Sequence, residues 1–235
     1  MPFEDVLKPF VIEVEPTEPE RHGAVDLYLP DADGPRPAIV FVHGGPVAPE
    51  QRPTPRDWPV FRGYGSLSAA KGVVAAVVDH RLHAFDAYPT AAEDVAAAVE
   101  LVRADPRVDP NRIAVWFFSG GGLLSAEWLR AGHGWLRCVA ANYPLLATFP
   151  GWEIEPRFRP VEAVGESTLP IVLVRVGLER PEIAAGVAAF VEAAGANLEI
   201  VDVPNGQHSF DLLDHTDESR KAVELAFDKV LAALG

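Results

Sequence analysis

Cysteine is almost absent from this chain: Cys138 is the only one among 235 residues, so no internal disulfide can form and no paired-cysteine metal site can be built. In "RCVAANYP" it reads as a small apolar residue of a buried strand rather than as a nucleophile. Cations are scarce as well, 20 Lys and Arg against 34 Asp and Glu, which leaves a formal net charge of −14. That balance opposes phosphate backbones and anionic membranes, and favours neutral or cationic small partners. No apolar run approaches the ~20 residues that cross a bilayer. The opening "MPFEDVLKPF" has acids and prolines where a secretory leader needs a basic start and a continuous apolar segment. The expectation is a soluble, cytoplasmic protein with no nucleic-acid partner and no membrane insertion.

What the chain does have is a hydrophobic fraction of 49%, enough to exclude a disordered polymer and to fill one sizeable core. A single domain over residues 1–235 is expected. Alternation begins at "AVDLYLP", and "PAIVFVHGG" (Pro37 to Gly45) reads as a buried strand. The pattern then switches repeatedly. A helix-like Phe61 to Lys71 precedes the strand "GVVAAVVD", the helix "YPTAAEDVAAAVELVRAD" precedes the strand "RIAVWFF", and a helix over Leu123 to Arg130 precedes the strand "LRCVAANY". The strand "LPIVLVRVG", the helix "PEIAAGVAAFVEAAG", the strand "NLEIVDVP" and a last helix with Thr216 as N-cap complete the series.

Short apolar strands alternating with helices imply an α/β fold, a mainly parallel sheet covered on both faces. Ligands in such sheets bind beyond the carboxyl ends of the strands. That rule picks out His43 to Pro46, Asp79 to His83, Ser119, Glu179 and His208. Two long connections, 46–59 and 144–170, are expected to cover such a site.

Ser119 stands at the end of "IAVWFF", followed by Gly120, Gly121 and Gly122. A serine hydroxyl is a poor nucleophile without a base to take its proton and donors to hold the oxyanion that follows. A sharp strand-to-helix turn exposes the hydroxyl, and glycines keep neighbouring side chains out of its way. Phe117 stands two residues before Ser119, where a Gly-x-Ser-x-Gly turn has its first glycine, and its bulk is expected to crowd the turn. Ser119 as a helix N-cap is the competing reading. A dinucleotide-binding turn is disfavoured, because Gly120, Gly122 and Ser125 satisfy Gly-x-Gly-x-x-Gly incompletely and no acid ends the next strand.

His208, in "VPNGQHSFD", follows the last strand and can act as a neutral base, since histidine ordinarily titrates near ~6.5. Glu179, two residues after Gly177, leaves its own strand at the same end and is the preferred acid to orient the imidazole. Asp211 ranks second, and Asp202 lies inside a strand. "FVHGGP" offers backbone N–H groups free of side-chain cover. With no N–H on Pro46, an oxyanion hole would use Gly120 with Gly45 or Gly44, and His43 would brace the loop. Phe118, Trp58, Phe149 and Trp152 are candidate pocket aromatics.

His-Gly-Gly after an early strand, serine on a strand-to-helix turn, then acid, then histidine: in that order the chain resembles the α/β-hydrolases from Ala24 to its last helix. "DHRLHAFDAYPTAAEDVAAAVELVR" is similar to the Tyr-Arg-Leu-Ala-Pro-Glu segment and following helix of hormone-sensitive-lipase-like esterases, and the "GQHSFD" end resembles dienelactone-hydrolase-like proteins. Phe117, Pro46, and His80 with His83 depart from those patterns. The resemblance implies an α/β-hydrolase fold with little or no cap domain. It also implies a carboxylesterase-like serine hydrolase for a small or medium acyl ester, with Ser119 as nucleophile, His208 as base and Glu179 as orienting acid, and with no metal or organic cofactor. An amidase or formamidase shares this machinery, and a catalytically silent binding domain shares the fold.

Overall fold

The structure is a computed structural model that describes residues 3–235. In chain order its elements are β1 (Glu20–His22), β2 (Val25–Tyr28), β3 (Arg36–Val42), α1 (Pro59–Ala70), β4 (Val74–Val78), α2 (Tyr88–Ala104), β5 (Val108–Phe118) and α3 (Ser125–Arg130). There follow β6 (Leu136–Asn142), α4 (Pro160–Val164), β7 (Ile171–Leu178), α5 (Pro181–Ala193), β8 (Leu198–Gln207), α6 (Phe210–Leu213) and α7 (Asp217–Leu234). The strands form one eight-stranded sheet in the order β1-β2-β4-β3-β5-β6-β7-β8. The β1–β2 and β2–β4 pairings are antiparallel, and all others are parallel.

Side chains alternate across a strand, and here the alternation divides the core in two. Val40 and Val42 of β3 and Val115 and Phe117 of β5 face α2, α3 and α5, where Val95, Val99, Leu129, Ile183 and Val187 complete the cluster. Ile39, Phe41, Trp116 and Phe118 face the other way, against Tyr64 of α1 and Phe227 of α7. Both faces of the central strands are buried, which is why they read as continuous apolar runs. Thr216 caps α7, its hydroxyl accepting from the Ser219 N–H at 3.1 Å.

Most boundaries fall within three residues of the sequence reading. The helix expected over Leu123 to Arg130 is α-helical from Ser125, because Ser119–Leu124 winds as a tighter 3-10 turn. The strand β1 carries no apolar pattern and is wholly exposed, so alternation could not reveal it. The segment 144–170, read as one connection, holds a short 3-10 turn, Pro156–Phe158, and α4. No helix among the described residues is long and apolar enough to cross a membrane.

Candidate active site

The parallel strands β3, β5, β7 and β8 all end on one side of the sheet, and each delivers one part of the site. Ser119 follows β5 directly with φ 49°, the left-handed region that costs a non-glycine residue energy. Its Oγ lies 2.7 Å from Nε2 of His208, which follows β8 directly. Nδ1 of His208 lies 2.5 Å from Oε2 of Glu179, which follows β7. The Glu179 side chain is only 4% exposed, and its other oxygen accepts from the Arg180 N–H at 2.8 Å. With the Glu179 carboxylate accepting, Nδ1 carries the proton and Nε2 presents a lone pair to the serine. Residues 119, 179 and 208 are thus brought into one hydrogen-bonded chain. The Ser119 hydroxyl bonds His208 rather than capping a helix, and Asp202 pairs with Arg175 on the surface.

Three glycines follow Ser119 because other backbone lies against each. A Cβ on Gly120 would stand 2.3 Å from the Gly45 carbonyl oxygen, and one on Gly121 would stand 2.5 Å from that of His43. The peptide that joins Ser119 to Gly120 is fixed from behind, since the Ser119 carbonyl accepts from the Leu145 N–H at 2.8 Å. In a trans peptide the Gly120 N–H points the opposite way. The next carbonyl, that of Gly120, accepts from the Tyr88 hydroxyl at 2.7 Å. Among the described residues nothing accepts from the N–H groups of Gly44, Gly45 or Gly120.

Phe117 does not crowd this turn. Its side chain is fully buried in the cluster that faces α2, in register with Val42 of β3 and Ala141 of β6. It therefore packs within the core between sheet and helices, on the face opposite Phe118.

Behind the glycine loop His43 and His80 are stacked, ring centroids 3.7 Å apart and planes 7° from parallel. The bonds fix their tautomers. His43 Nε2 accepts from the His80 N–H at 3.3 Å, so its Nδ1 donates to the Gly44 carbonyl. His80 Nε2 donates to the His43 carbonyl at 2.9 Å. Burial pushes His43 down to about 4; burial first, then the repulsion that a proton on each of the stacked rings would bring, pushes His80 well below the usual histidine range. Both rings are neutral, and together they tie β4's exit to the His-Gly-Gly loop.

Ser119 and His208 open into a cavity of about 630 Å3 whose walls include Val47, Trp58, Phe61, Phe118 and Leu178. Trp58 and Phe118 thus stand where the sequence suggested. Phe3, Asp5 and Val6 of the N-terminal segment line it too, which no local pattern signalled. Residues Pro46, Val47, Gln51 and Trp58 bring the first long connection to the cavity, whereas no residue of 144–170 borders it: contrary to expectation, that segment lines a second cavity instead. That second cavity, about 380 Å3, takes Trp152 and Phe158, while Phe149 packs on Trp152. His83 is exposed and bonds the Val47 carbonyl at 2.8 Å, and Asp79 pairs with Arg56 at 3.1 Å. No group of three His, Cys, Asp or Glu among the described residues is placed to hold a metal ion.

The BD-FAE family model matches residues 25–129, a stretch that contains Ser119 but neither Glu179 nor His208. No curated protein sequence matches the chain. Among solved structures, esterase 2 of Thermogutta terrifontis phosphorylated by paraoxon superposes with a TM-score of 0.71 at 22% identity, over 94% of this chain and 93% of that one. A bacterial heroin esterase gives 0.70 at 21% identity, over 95% and 84%. The protein DphMB1 gives 0.72 at 21% identity, over 94% and 88%.

Proposed function

From the α/β-hydrolase fold that this chain carries, we propose that it is a serine hydrolase of carboxylic esters with small or medium acyl groups. The observation that carries the reading is the Ser119–His208–Glu179 chain, with contacts of 2.7 Å and 2.5 Å between residues from three separate strand ends. That the similar structures include esterases supports it.

In this mechanism Ser119 Oγ attacks the ester carbonyl carbon while His208 Nε2 takes its proton, and the ionised Glu179 stabilises the imidazolium and keeps its orientation. The carbonyl oxygen becomes an oxyanion held by the N–H of Gly120 and that of Gly45 or Gly44. The tetrahedral adduct then collapses, the C–O bond to the leaving alcohol breaks, and His208 returns the proton to that oxygen. Water attacks the acyl-serine with His208 again as base, and the acid leaves as Ser119 regains its proton. No step needs a cofactor.

The test is hydrolysis of p-nitrophenyl acetate and butyrate by the native protein, Ser119→Ala and His208→Ala. Saturable turnover that falls at least ~10³-fold in both variants is expected. Turnover in Ser119→Ala equal to native would overturn the proposal.

A further inference from the structure

A buried carboxylate lies beneath the site and takes no part in the mechanism above. Asp211, on the four-residue helix α6, is fully buried and has no cation among its bonding partners. Its carboxylate instead accepts from the Tyr143 hydroxyl at 2.8 and 2.9 Å, from the Tyr64 hydroxyl at 2.9 Å and, more weakly, from Asn142 Nδ2 at 3.5 Å. Asn142 also donates to the Tyr64 hydroxyl at 2.8 Å and accepts from the Trp116 indole at 3.0 Å. The Asp211 carbonyl accepts from the Val11 N–H at 3.0 Å. One residue therefore joins α6 to α1, the end of β6 and the N-terminal segment, and reaches β5 through Asn142.

Its place in the chain gives that junction a consequence. His208 is separated from Asp211 only by Ser209, at φ 64°, and Phe210; Tyr143, at φ 37°, is the first residue beyond β6. Two of the three non-glycine residues with positive φ among those described thus flank this contact, and such backbone persists only where surroundings hold it. The Tyr143 ring lies 4.9 Å from the His208 ring, centroid to centroid. On the other side of His208, Gln207 is held by Asp214 through bonds of 2.8 and 2.6 Å. Those bonds lie at the surface, and the Ser209 carbonyl is satisfied within the turn by the Leu212 and Leu213 N–H groups, so Asp211 supplies the turn's buried polar tie to α1 and the end of β6.

We infer that Asp211 is a positioning residue for the reaction: through Tyr143 and the Ser209 turn it holds the His208 imidazole in line between Ser119 and Glu179. The inference rests on the assignment of His208 as base. A carboxylate is suited to the task because, ionised, it only accepts, and all three side-chain groups around it donate. Burial pushes its carboxyl up to about 6, against the lowering effect of the bonds from Tyr143, Tyr64 and Asn142. The titratable groups that face it are Tyr64 from α1 and Tyr143 from the end of β6; beyond Tyr143 stand His208 and Glu179. Protonation obliges one phenol to turn its hydroxyl round, which loosens the same junction.

The experiment compares the native protein with Asp211→Asn and Tyr143→Phe, each first shown to be folded by circular dichroism and thermal unfolding. Two readouts are taken: the proton resonance of His208 Nδ1–H in its bond to Glu179, and the pH profile of p-nitrophenyl butyrate hydrolysis. The expected result is a shifted or broadened resonance in both variants, with kcat about tenfold lower at pH 8, KM within twofold of native, and the native and Asp211→Asn profiles converging below pH 5. The double variant should lose no more than Asp211→Asn alone. An unchanged resonance, or an unchanged kcat in folded Asp211→Asn, overturns the inference. Should the native protein hydrolyse no ester, the proposed function falls, and the resonance alone decides the role of Asp211. If Asp211→Asn does not fold, Tyr143→Phe, which removes one donor and keeps the ring, carries the test.

Discussion

Acid should weaken this protein above the range where an ordinary carboxylate titrates, and the stacked histidines are the reason. His43 takes a proton at about pH 4 when folded, but near ~6.5 in the unfolded chain. As pH falls below the higher value, the unfolded chain binds the proton first, so stability present at neutral pH is lost toward pH 4. Between pH 7.5 and pH 5 the two pKa values give a ratio of roughly 30, or about 2 kcal/mol. His80, pushed down by the same burial, adds loss in the same direction. Asp211 opposes them: its folded pKa is raised, so it binds a proton on folding in this window. A difference between variants removes that opposing contribution. Urea unfolding, followed by the fluorescence of the five tryptophans, would be measured at pH 7.5 and pH 5 for the native protein and for His43→Phe, which keeps a ring against His80. Whatever its absolute stability, the variant should lose about 2 kcal/mol less than native over that interval. Equal losses would refute the buried, neutral state assigned to His43.

Other substitutions test the site and its frame. Gly120→Ala places a methyl 2.3 Å from the Gly45 oxygen; displacing one oxyanion donor should lower kcat by ~10²-fold or more, read by steady-state kinetics with the unfolding curve as control. Glu179→Gln removes the charge and, with its one oxygen still accepting from the Arg180 N–H, turns an amide donor toward His208 Nδ1; the wrong tautomer that follows should lower kcat by ~10² to 10⁴-fold with KM little changed. Phe117→Ala empties a fully buried site and should cost about 3–5 kcal/mol in urea unfolding; a stable variant with raised kcat would show that Phe117 does crowd the turn.

The sheet was legible because its central strands are buried on both faces and its helices carry the 3.6-residue period, and Ser119, Glu179 and His208 stood out because each follows a strand. Phe117 misled because residue spacing does not tell which face of β5 a side chain takes; two residues before Ser119, it points into the α2 core. At Asp211 the sequence shows only its nearness to His208, since its donors, Tyr64 and Tyr143, lie 147 and 68 residues away. The cavity wall at Phe3 to Val6 escaped for the same reason, as it follows from how the ends of the chain meet. In sequence His80 is only a departure from a family pattern, and only the fold brings its ring onto His43.

The most direct test of an activated serine is intact-mass analysis of the native protein and Ser119→Ala after exposure to a fluorophosphonate. The account predicts one adduct on the native chain and none on the variant. Native protein that stays unmodified while folded, or an adduct that persists in Ser119→Ala, would contradict it.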